Sequence, residues 1–478
     1  MCLAALSLGT QSLAGTAALS WETLLVQGKE FLRQKNYGQA RQCFEQVTRL
    51  QPRFGEGFFY LGVSALQTGD RPTAETALRK AVKLSPNAVS ALYNLGVLLL
   101  DLQKPAEAAG YLEKARQVDP HNQELTANLI RADLESGQEK RALNLLDSAD
   151  RQFASEVGFH VVVGKLLFDH GLNAPSCAEL SAANRLMPGQ TEIALPLADA
   201  CLAAHEAATV KSALMSVREQ SQGNARFHSL AAQAALQSGD LEAALDEIKA
   251  AVQLEPSNPL FLLQLGRLHQ KRGEQAEALA VLERARTLDP QNAEVLYSMA
   301  VSYAVLENER KAIEVLNRAL EIAPSFDRAL FLLGSIHLSM DRLDEADKPL
   351  TEALRLQPEN PFYLCFAGML RIQQLRPEEA QREFRQAEVI SPSYALPHFH
   401  MGRLFARTGK YPEAEQELKK SISLQPNLSE AYYELGLLLH KLGKQDEAEQ
   451  AMARFQSLRG AEKSGSEIVM RELQDAVR

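Results

Sequence analysis

Proline recurs in this chain every 34 residues, and that period restricts the fold more than any other feature. Pro52, Pro86 and Pro120 are 34 apart, as are Pro256, Pro290, Pro324, Pro358, Pro392 and Pro426. Pro188 lies 68 from both Pro120 and Pro256, two periods each way. One register therefore runs from Pro52 to Pro426 without an insertion, and only Ala154 and Gln222 stand where a proline is due. A chain repeating at this spacing is a stack of two-helix modules, each resting mainly on its neighbours, so it lengthens without one central core. The length of 478 residues consequently does not translate into about three globular domains.

With each proline at position 32 of its repeat, Trp21 becomes position 1 of the first. Position 8 is then Gly28, Gly62, Gly96, Gly164, Gly266, Gly334, Gly368, Gly402 or Gly436, with Ala198, Ala232 and Ala300 as substitutes and Ile130 as the exception to the small-residue rule. Position 20 is Ala in eleven of thirteen repeats, Ser176 and Val210 excepted. Position 24 is always large and apolar, as at Phe44, Leu78, Leu112, Ile248 and Phe384. Positions 4, 7, 8 and 11 form one face of a first helix, and positions 20, 24 and 27 one face of a second. Small residues at 8 and 20 predict a close approach of the two backbones, with the large residues filling the space around it. Seven repeats carry glycine at position 15, where a left-handed residue ends the first helix. Pro72, Pro105, Pro377 and Pro412 then open second helices, where a missing N–H costs nothing.

This pattern resembles the tetratricopeptide repeat family. Ala91-Leu92-Tyr93-Asn94-Leu95-Gly96 and Ala431-Tyr432-Tyr433-Glu434-Leu435-Gly436 are similar to its first-helix consensus. The resemblance implies an all-α α-solenoid, a right-handed superhelix of about thirteen helix–turn–helix repeats from Trp21 to Glu462. Ser466–Arg478 reads as a capping helix, with Val469, Leu473 and Val477 on one stripe; a partner-binding tail is the competing reading. The expected organisation is an uncharged N-terminal segment (1–20), repeats one to three (21–122), degenerate repeats four to six (123–224), repeats seven to thirteen (225–462) and the cap (463–478). In the degenerate block Pro196 falls inside a first helix, which it should kink or shorten. The block is either drift with poorer packing or a bend. Pro349 is a second in-helix proline, within a regular repeat.

Composition narrows the function. With 51 basic against 60 acidic residues and a net charge of −9, nothing favours a nucleic-acid partner. No apolar run approaches the roughly 18 residues of a transmembrane helix. The segment Met1–Ser20 has no charge and small residues at Gly15 and Ala17, but lacks a basic stretch; it is a signal-peptide remnant or an irregular tail. Cytoplasmic and exported locations both stay open. The five cysteines (Cys2, Cys43, Cys177, Cys201 and Cys365) include no C-x-x-C pair and read as small core residues. The phosphate-loop, dinucleotide, nucleophile-elbow and H-E-x-x-H motifs are all absent, and almost every residue after 20 already belongs to a repeat or its cap. His160, His228 and His398 (position 4) and His269 and His337 (position 11) occupy packing positions, and His398 and His400 point to different faces, so no metal pair is read. We expect no catalytic, cofactor or metal site.

In this family the concave face, lined by the first helices at about positions 2, 5, 6, 9, 12 and 13, binds partners. Aromatics recur there at position 5 (Phe59, Tyr93, Tyr297, Phe331, Phe399, Tyr433), and cations at positions 9 and 13 (Lys29, Arg131, Lys165, Arg267, Arg403, Lys271, Arg407, Lys441). Aromatic faces and long cations suit an extended peptide or an acidic segment. The expected partner-binding residues are Tyr93, Asn94, Arg131, Arg267, Lys271, Tyr297, Phe331, Arg403, Arg407 and Tyr433. The bland alternative is that the aromatics are repeat consensus and the cations a solvated face shared with Glu192, Asp199, Glu294, Glu430 and Glu434. The carboxylate clamp of chaperone-binding members fails: Asn94 supplies one asparagine, but Phe59, Val63, Glu124 and Asn128 fill the flanking positions. The asparagine ladder of glycosyltransferase-type members is matched only by Asn94 and Asn128. A protein-binding scaffold is the expected function, with an exported adaptor of an envelope assembly, secretion or polymer-export complex as the alternative.

Overall fold

The computed structural model describes residues 20–459; the capping helix expected over Ser466–Arg478 and nearly all of the N-terminal segment lie outside them. The described residues form α-helices, one 3-10 turn and no strand. The chain divides into two compact units, one ending at Ser221 and the other beginning at Gln222. In the first unit the order is α1 (Trp21–Arg33), α2 (Tyr37–Leu50), α3 (Gly55–Gln67), α4 (Arg71–Leu84), α5 (Val89–Asp101), α6 (Pro105–Val118), α7 (Gln123–Glu135), α8 (Glu139–Gln152), α9 (Val157–Asp169), α10 (Asn173–Leu186), α11 (Thr191–Ala203) and α12 (Ala207–Ser216), followed by the 3-10 turn Glu219–Ser221. In the second it is α13 (Ala225–Gln237), α14 (Leu241–Leu254), α15 (Pro259–Lys271), α16 (Gln275–Leu288), α17 (Ala293–Val305), α18 (Glu309–Ile322), α19 (Asp327–Ser339), α20 (Leu343–Leu356), α21 (Pro361–Gln373), α22 (Pro377–Ile390), α23 (Ala395–Arg407), α24 (Tyr411–Leu424), α25 (Ser429–Lys441) and α26 (Gln445–Arg459). Each odd-numbered helix packs on the even-numbered one after it.

The register explains why these helices start, stop and pair where they do. Asn122, Asn224, Asn258, Asn292 and Asn360 N-cap first helices with their side-chain oxygens, and Asn36, Asp70, Asp240 and Asn308 do the same for second helices. Each cap satisfies an N–H that the helix leaves without a partner. Between the helices of every pair, position 15 is left-handed. Seven of these residues are glycine, and the other six (Lys35, Gln103, His205, Glu307, Asp341 and Leu375) hold φ between 53° and 60°. An L-residue there carries a strain of about 1–2 kcal/mol. Leu375 is 87 % exposed, so its side chain returns little packing. Leu375→Gly is expected to raise stability by about 1 kcal/mol, part of the relieved strain being offset by the entropy of the unfolded glycine. A urea midpoint equal to or below that of the unaltered chain would contradict this.

Close approach inside each pair rests on positions 8 and 24. A Cβ built on Gly96 would lie 2.6 Å from Leu112 Cγ, and one on Gly368 only 2.5 Å from Phe384 Cε1. Leu112 and Phe384 are fully buried. Ile130 breaks this rule in α7, and the structure shows the consequence. α8 packs more sparsely on α7 than any other second helix on its partner, while α7 leans directly on α9. Ile130 is itself fully buried, so its bulk stays in the core and α8 gives way.

Two expectations for the degenerate block are corrected. Pro196 does not shorten its helix: α11 keeps 13 residues, the length of α9 before it. The carbonyl that Pro196 leaves without its helical partner belongs to Glu192, an exposed residue at the start of α11. Pro349 likewise leaves α20 its 14 residues. The shortened helix is α12, with 10 residues. Ser216 donates its hydroxyl to the Ala213 carbonyl at 2.6 Å, which competes with the helical ladder where α12 ends. The second correction concerns cysteine. Cys177 on α10 and Cys201 on α11 form a disulfide with their Cα atoms 4.8 Å apart, whereas Cys43 and Cys365 are buried outside any disulfide. The pairing arises because α10 and α11 lie side by side, which the 24-residue separation does not reveal.

Candidate partner-binding groove

The first helices of successive repeats are neighbours within each unit, so positions 2, 5, 6, 9 and 13 of one repeat face those of the next. The structure sorts the expected binding residues into three groups.

Half of the aromatics at position 5, Tyr297, Phe331 and Phe399, are core. Tyr297 and Phe331 are each 3 % exposed. Phe331 stacks on Tyr363 at 4.6 Å and meets Phe366 edge-on at 4.9 Å; Tyr297 lies against Phe326 at 5.2 Å. Burial raises the Tyr297 hydroxyl pKa well above its ordinary value. These two residues were expected on the groove surface, and the structure instead places them beneath it, because the following repeat lays its own first helix over position 5. Tyr433 is 41 % exposed and tilts against Phe455. Tyr93 is half-buried, its hydroxyl accepting from Asn128 Nδ2 at 3.2 Å, and Asn94 donates to the Ser90 carbonyl at 2.8 Å.

Most of the cations bind acids of the same chain. Lys29 pairs with Glu56 at 2.7 Å, and Arg131 with Glu135 at 2.7 Å within α7. Arg267 pairs with Glu294 and donates to Ser298 Oγ at 3.2 Å. Arg328 reaches the same Glu294 at 2.5 Å, with its guanidinium 5.2 Å over the Tyr297 ring. An Arg267–Glu294–Arg328 chain thus crosses three successive first helices, α15, α17 and α19. Lys271, at the end of α15, is exposed. Arg403 pairs with Glu434 at 2.9 Å and covers the Phe399 ring at 5.5 Å. Sequence reasoning did not see the cross-repeat pairing, because partner acids sit 27 to 34 residues away.

The third group is a single place. Between α21 and α23 lies a cavity of about 140 Å³, lined by Met369, Ile372, Gln373, His400, Arg403, Leu404 and Arg407. Burial, with Arg403 adding to it, pushes the His400 pKa down to about 3, so its imidazole is neutral. The ring stacks on Phe384 at 5.7 Å. The cavity therefore has an apolar and neutral lining with two guanidinium groups beside it. Arg407 is exposed and has no ion-pair or hydrogen-bond partner among the described residues. Met369, Gln373 and His400, which line the cavity without carrying charge, were not read as groove residues in the sequence; their positions 9, 13 and 6 were the available signal. A second cavity, of about 290 Å³ between α3, α4 and α5, includes Phe59 and Tyr60.

Family models described as tetratricopeptide repeats match residues 25–88, 61–123 and 189–259, residues 99–157, 235–302 and 271–325, and residues 327–360 and 429–461; a further repeat model matches 402–443. The chain belongs to the tetratricopeptide repeat family. Its fold is the tetratricopeptide solenoid, an architecture consistent with a protein-interaction scaffold, and none of its described helices is long and apolar enough to cross a membrane. Among curated relatives it is 28 % identical over 102 residues to the cell division cycle protein 27 homolog of Caenorhabditis elegans, and 28 % over 104 residues to protein bimA of Emericella nidulans. Those matches span 21 % and 22 % of this chain and 13 % of each relative. It is 24 % identical over 119 residues to anaphase-promoting complex subunit 3 of Schizosaccharomyces pombe, covering 25 % of this chain and 18 % of that one. Among solved structures it is similar to the APC/C hetero-tetramer Cut9–Hcn1, at 17 % identity over 95 % of both chains with a TM-score of 0.46, and to MamA, at 21 % identity over 37 % of this chain and 95 % of that one with a TM-score of 0.32.

Proposed function

We propose that this scaffold holds an extended acidic segment of a partner protein along the first helices of its second unit, with a carboxylate docked at the cavity between α21 and α23. The observation that carries this reading is Arg407. The neighbouring groove cations Arg267 and Arg403 are neutralised by acids of the chain, whereas Arg407 lies exposed at a concave cavity whose remaining lining is apolar or neutral. A carboxylate entering there gains a charge-assisted hydrogen bond, and the apolar stem behind it finds Met369, Ile372 and Leu404. The groove residues Arg403, Arg407 and Tyr433 are assigned to contact the partner, Arg267 and Glu294 to hold consecutive first helices in place.

The test is fluorescence anisotropy of the full chain with extended peptides of acidic, neutral and basic composition. Acidic peptides are expected to bind, and Arg407→Ala to weaken them about tenfold, a loss of about 1.4 kcal/mol. Affinity should also fall with added salt. Equal binding of neutral or basic peptides, or an unchanged affinity in R407A, would refute the reading.

A second reading, an exported adaptor of an envelope assembly, secretion or polymer-export complex, is supported by the Cys177–Cys201 bond, because disulfides persist mainly in oxidising compartments.

A further inference from the structure

Three repeats carry histidine at position 4 (His160, His228 and His398), and each of them also carries glutamate at position 23 (Glu179, Glu247 and Glu417). The Nδ1–Oε2 distances of the three pairs are 2.7, 2.6 and 2.7 Å. Only two repeats in the register have an acid at position 28, Asp150 and Glu388. Each immediately precedes a repeat with this histidine–glutamate pair. The structure brings the acids to the pairs, giving Asp150–His160–Glu179 and Glu388–His398–Glu417, and in each trio one ligand atom from every residue lies within 4.8 Å of the others. One trio joins α8, α9 and α10, the other α22, α23 and α24.

We propose that the two trios are twin binding sites for a divalent transition metal, Zn²⁺, each stitching three consecutive helices together. One imidazole and two carboxylates are a ligand set that such an ion takes, with a fourth position left for water. The trios are also short of hydrogen bonds. Asp150 Oδ1 is buried without a hydrogen-bond partner, and Glu388 Oε1 has only a 3.3 Å contact with His398 Nδ1 that makes no hydrogen bond. His160 is 3 % exposed, its Nε2 has no partner, and its Nδ1 points into the trio. A buried carboxylate oxygen left unpaired costs about 1–3 kcal/mol or more, which an ion bridging the two acids removes. At Zn–ligand distances of about 2.1 Å the ligand atoms of a tetrahedral site stand about 3.4 Å apart. In the second trio His398 Nδ1 already stands 3.3 Å from Glu388 Oε1, close to that spacing, and its 2.7 Å contact with Glu417 would open by well under 1 Å.

His228 supplies an internal control. The residue before it in register at position 28 is Arg218 rather than an acid. Its Nε2 faces the Gln222 carbonyl at 3.0 Å, so both ring nitrogens are engaged by the protein. The site near His160 also has a structural task. α8 is held loosely by α7 and approaches α9 only slightly, and a metal on Asp150 would tie it to α9 and α10.

The test is metal binding by the full chain after chelator treatment and dialysis, with Zn²⁺ alone as the probe. Elemental analysis and calorimetric titration are expected to give two equivalents, and Co²⁺ in its place the visible absorbance of a low-coordinate site. Asp150→Asn and Glu388→Gln, near-isosteres that keep the packing, should each remove one equivalent, and the double variant both. His228→Ala should leave two. Circular dichroism at the unaltered helical content shows that the variants fold. No retained Zn²⁺, a stoichiometry that D150N and E388Q leave unchanged, or binding of Ca²⁺ in preference to Zn²⁺ would each overturn the proposal.

Discussion

Gly368→Val is expected to destabilise the second unit by more than about 3 kcal/mol. The Cβ alone would stand 2.5 Å from Phe384 Cε1, and Phe384 is a fully buried ring in a close-packed interface between α21 and α22. Neither helix can retreat freely, since each also rests on a neighbouring repeat, so the clash becomes backbone displacement and off-rotamer strain. The repeats supply a graded comparison. Where alanine replaces glycine at position 8, at Ala198, Ala232 and Ala300, position 24 is Leu214, Ile248 and Leu316; the two phenylalanines, Phe44 and Phe384, both face glycine. Gly368→Ala is therefore expected to cost about 1–3 kcal/mol despite the better helix propensity of alanine, and Phe384→Leu in the same chain to recover part of the loss. Denaturant midpoints of the single and double variants measure this coupling. If G368A is neutral, or F384L adds to its loss instead of relieving it, the close-approach account is wrong.

Breaking the Cys177–Cys201 bond is the second change with a large expected effect. The bond closes a loop across a 24-residue separation, which in the chain-entropy model is worth about 3 kcal/mol. In a stack where each repeat rests on its neighbours, the loss should be local. Hydrogen exchange is expected to accelerate in α10 and α11 on reduction, or in a Cys177→Ser, Cys201→Ser double variant, with little change in the second unit. The thermal midpoint of the first unit should fall, and reductant should have no further effect on the double variant. Identical exchange in oxidised and reduced chains would show that the two helices do not depend on the staple. Its location is informative, because it ties α10 to α11 just before the shortened α12, in the part of the chain where the register is least regular.

The groove shows what a linear reading can and cannot reach. Position within the repeat assigned Arg267, Arg403 and Arg407 to one face. Whether a cation on that face is available to a partner depends on residues one period away: Arg267 is held by Glu294, and Arg403 by Glu434, while Arg407 has no such acid among the described residues. Tyr297 and Phe331 illustrate the converse. An aromatic at position 5 is partner-facing only if the next repeat leaves it uncovered, and here it does not. His160 and His398 were placed at packing positions, but their acid partners come from two other helices, one of them in the preceding repeat.

The sequence by itself determined the family, the two-helix repeat and the small residues at positions 8 and 20 that let its helices approach, because these follow from spacing within one 34-residue period and from side-chain size. It did not reveal the left-handed residues at Lys35, Gln103, His205, Glu307, Asp341 and Leu375, where the register of neighbouring helices imposes a conformation that the residue type disfavours. Tertiary structure alone decided the Cys177–Cys201 pairing, the displacement of α8 by Ile130, the ion pairs that occupy most groove cations, and the two histidine–carboxylate trios. The physical reason is common to all four. Each depends on the distance between side chains on different helices, a quantity set by how repeats stack and not by the order of residues within one of them.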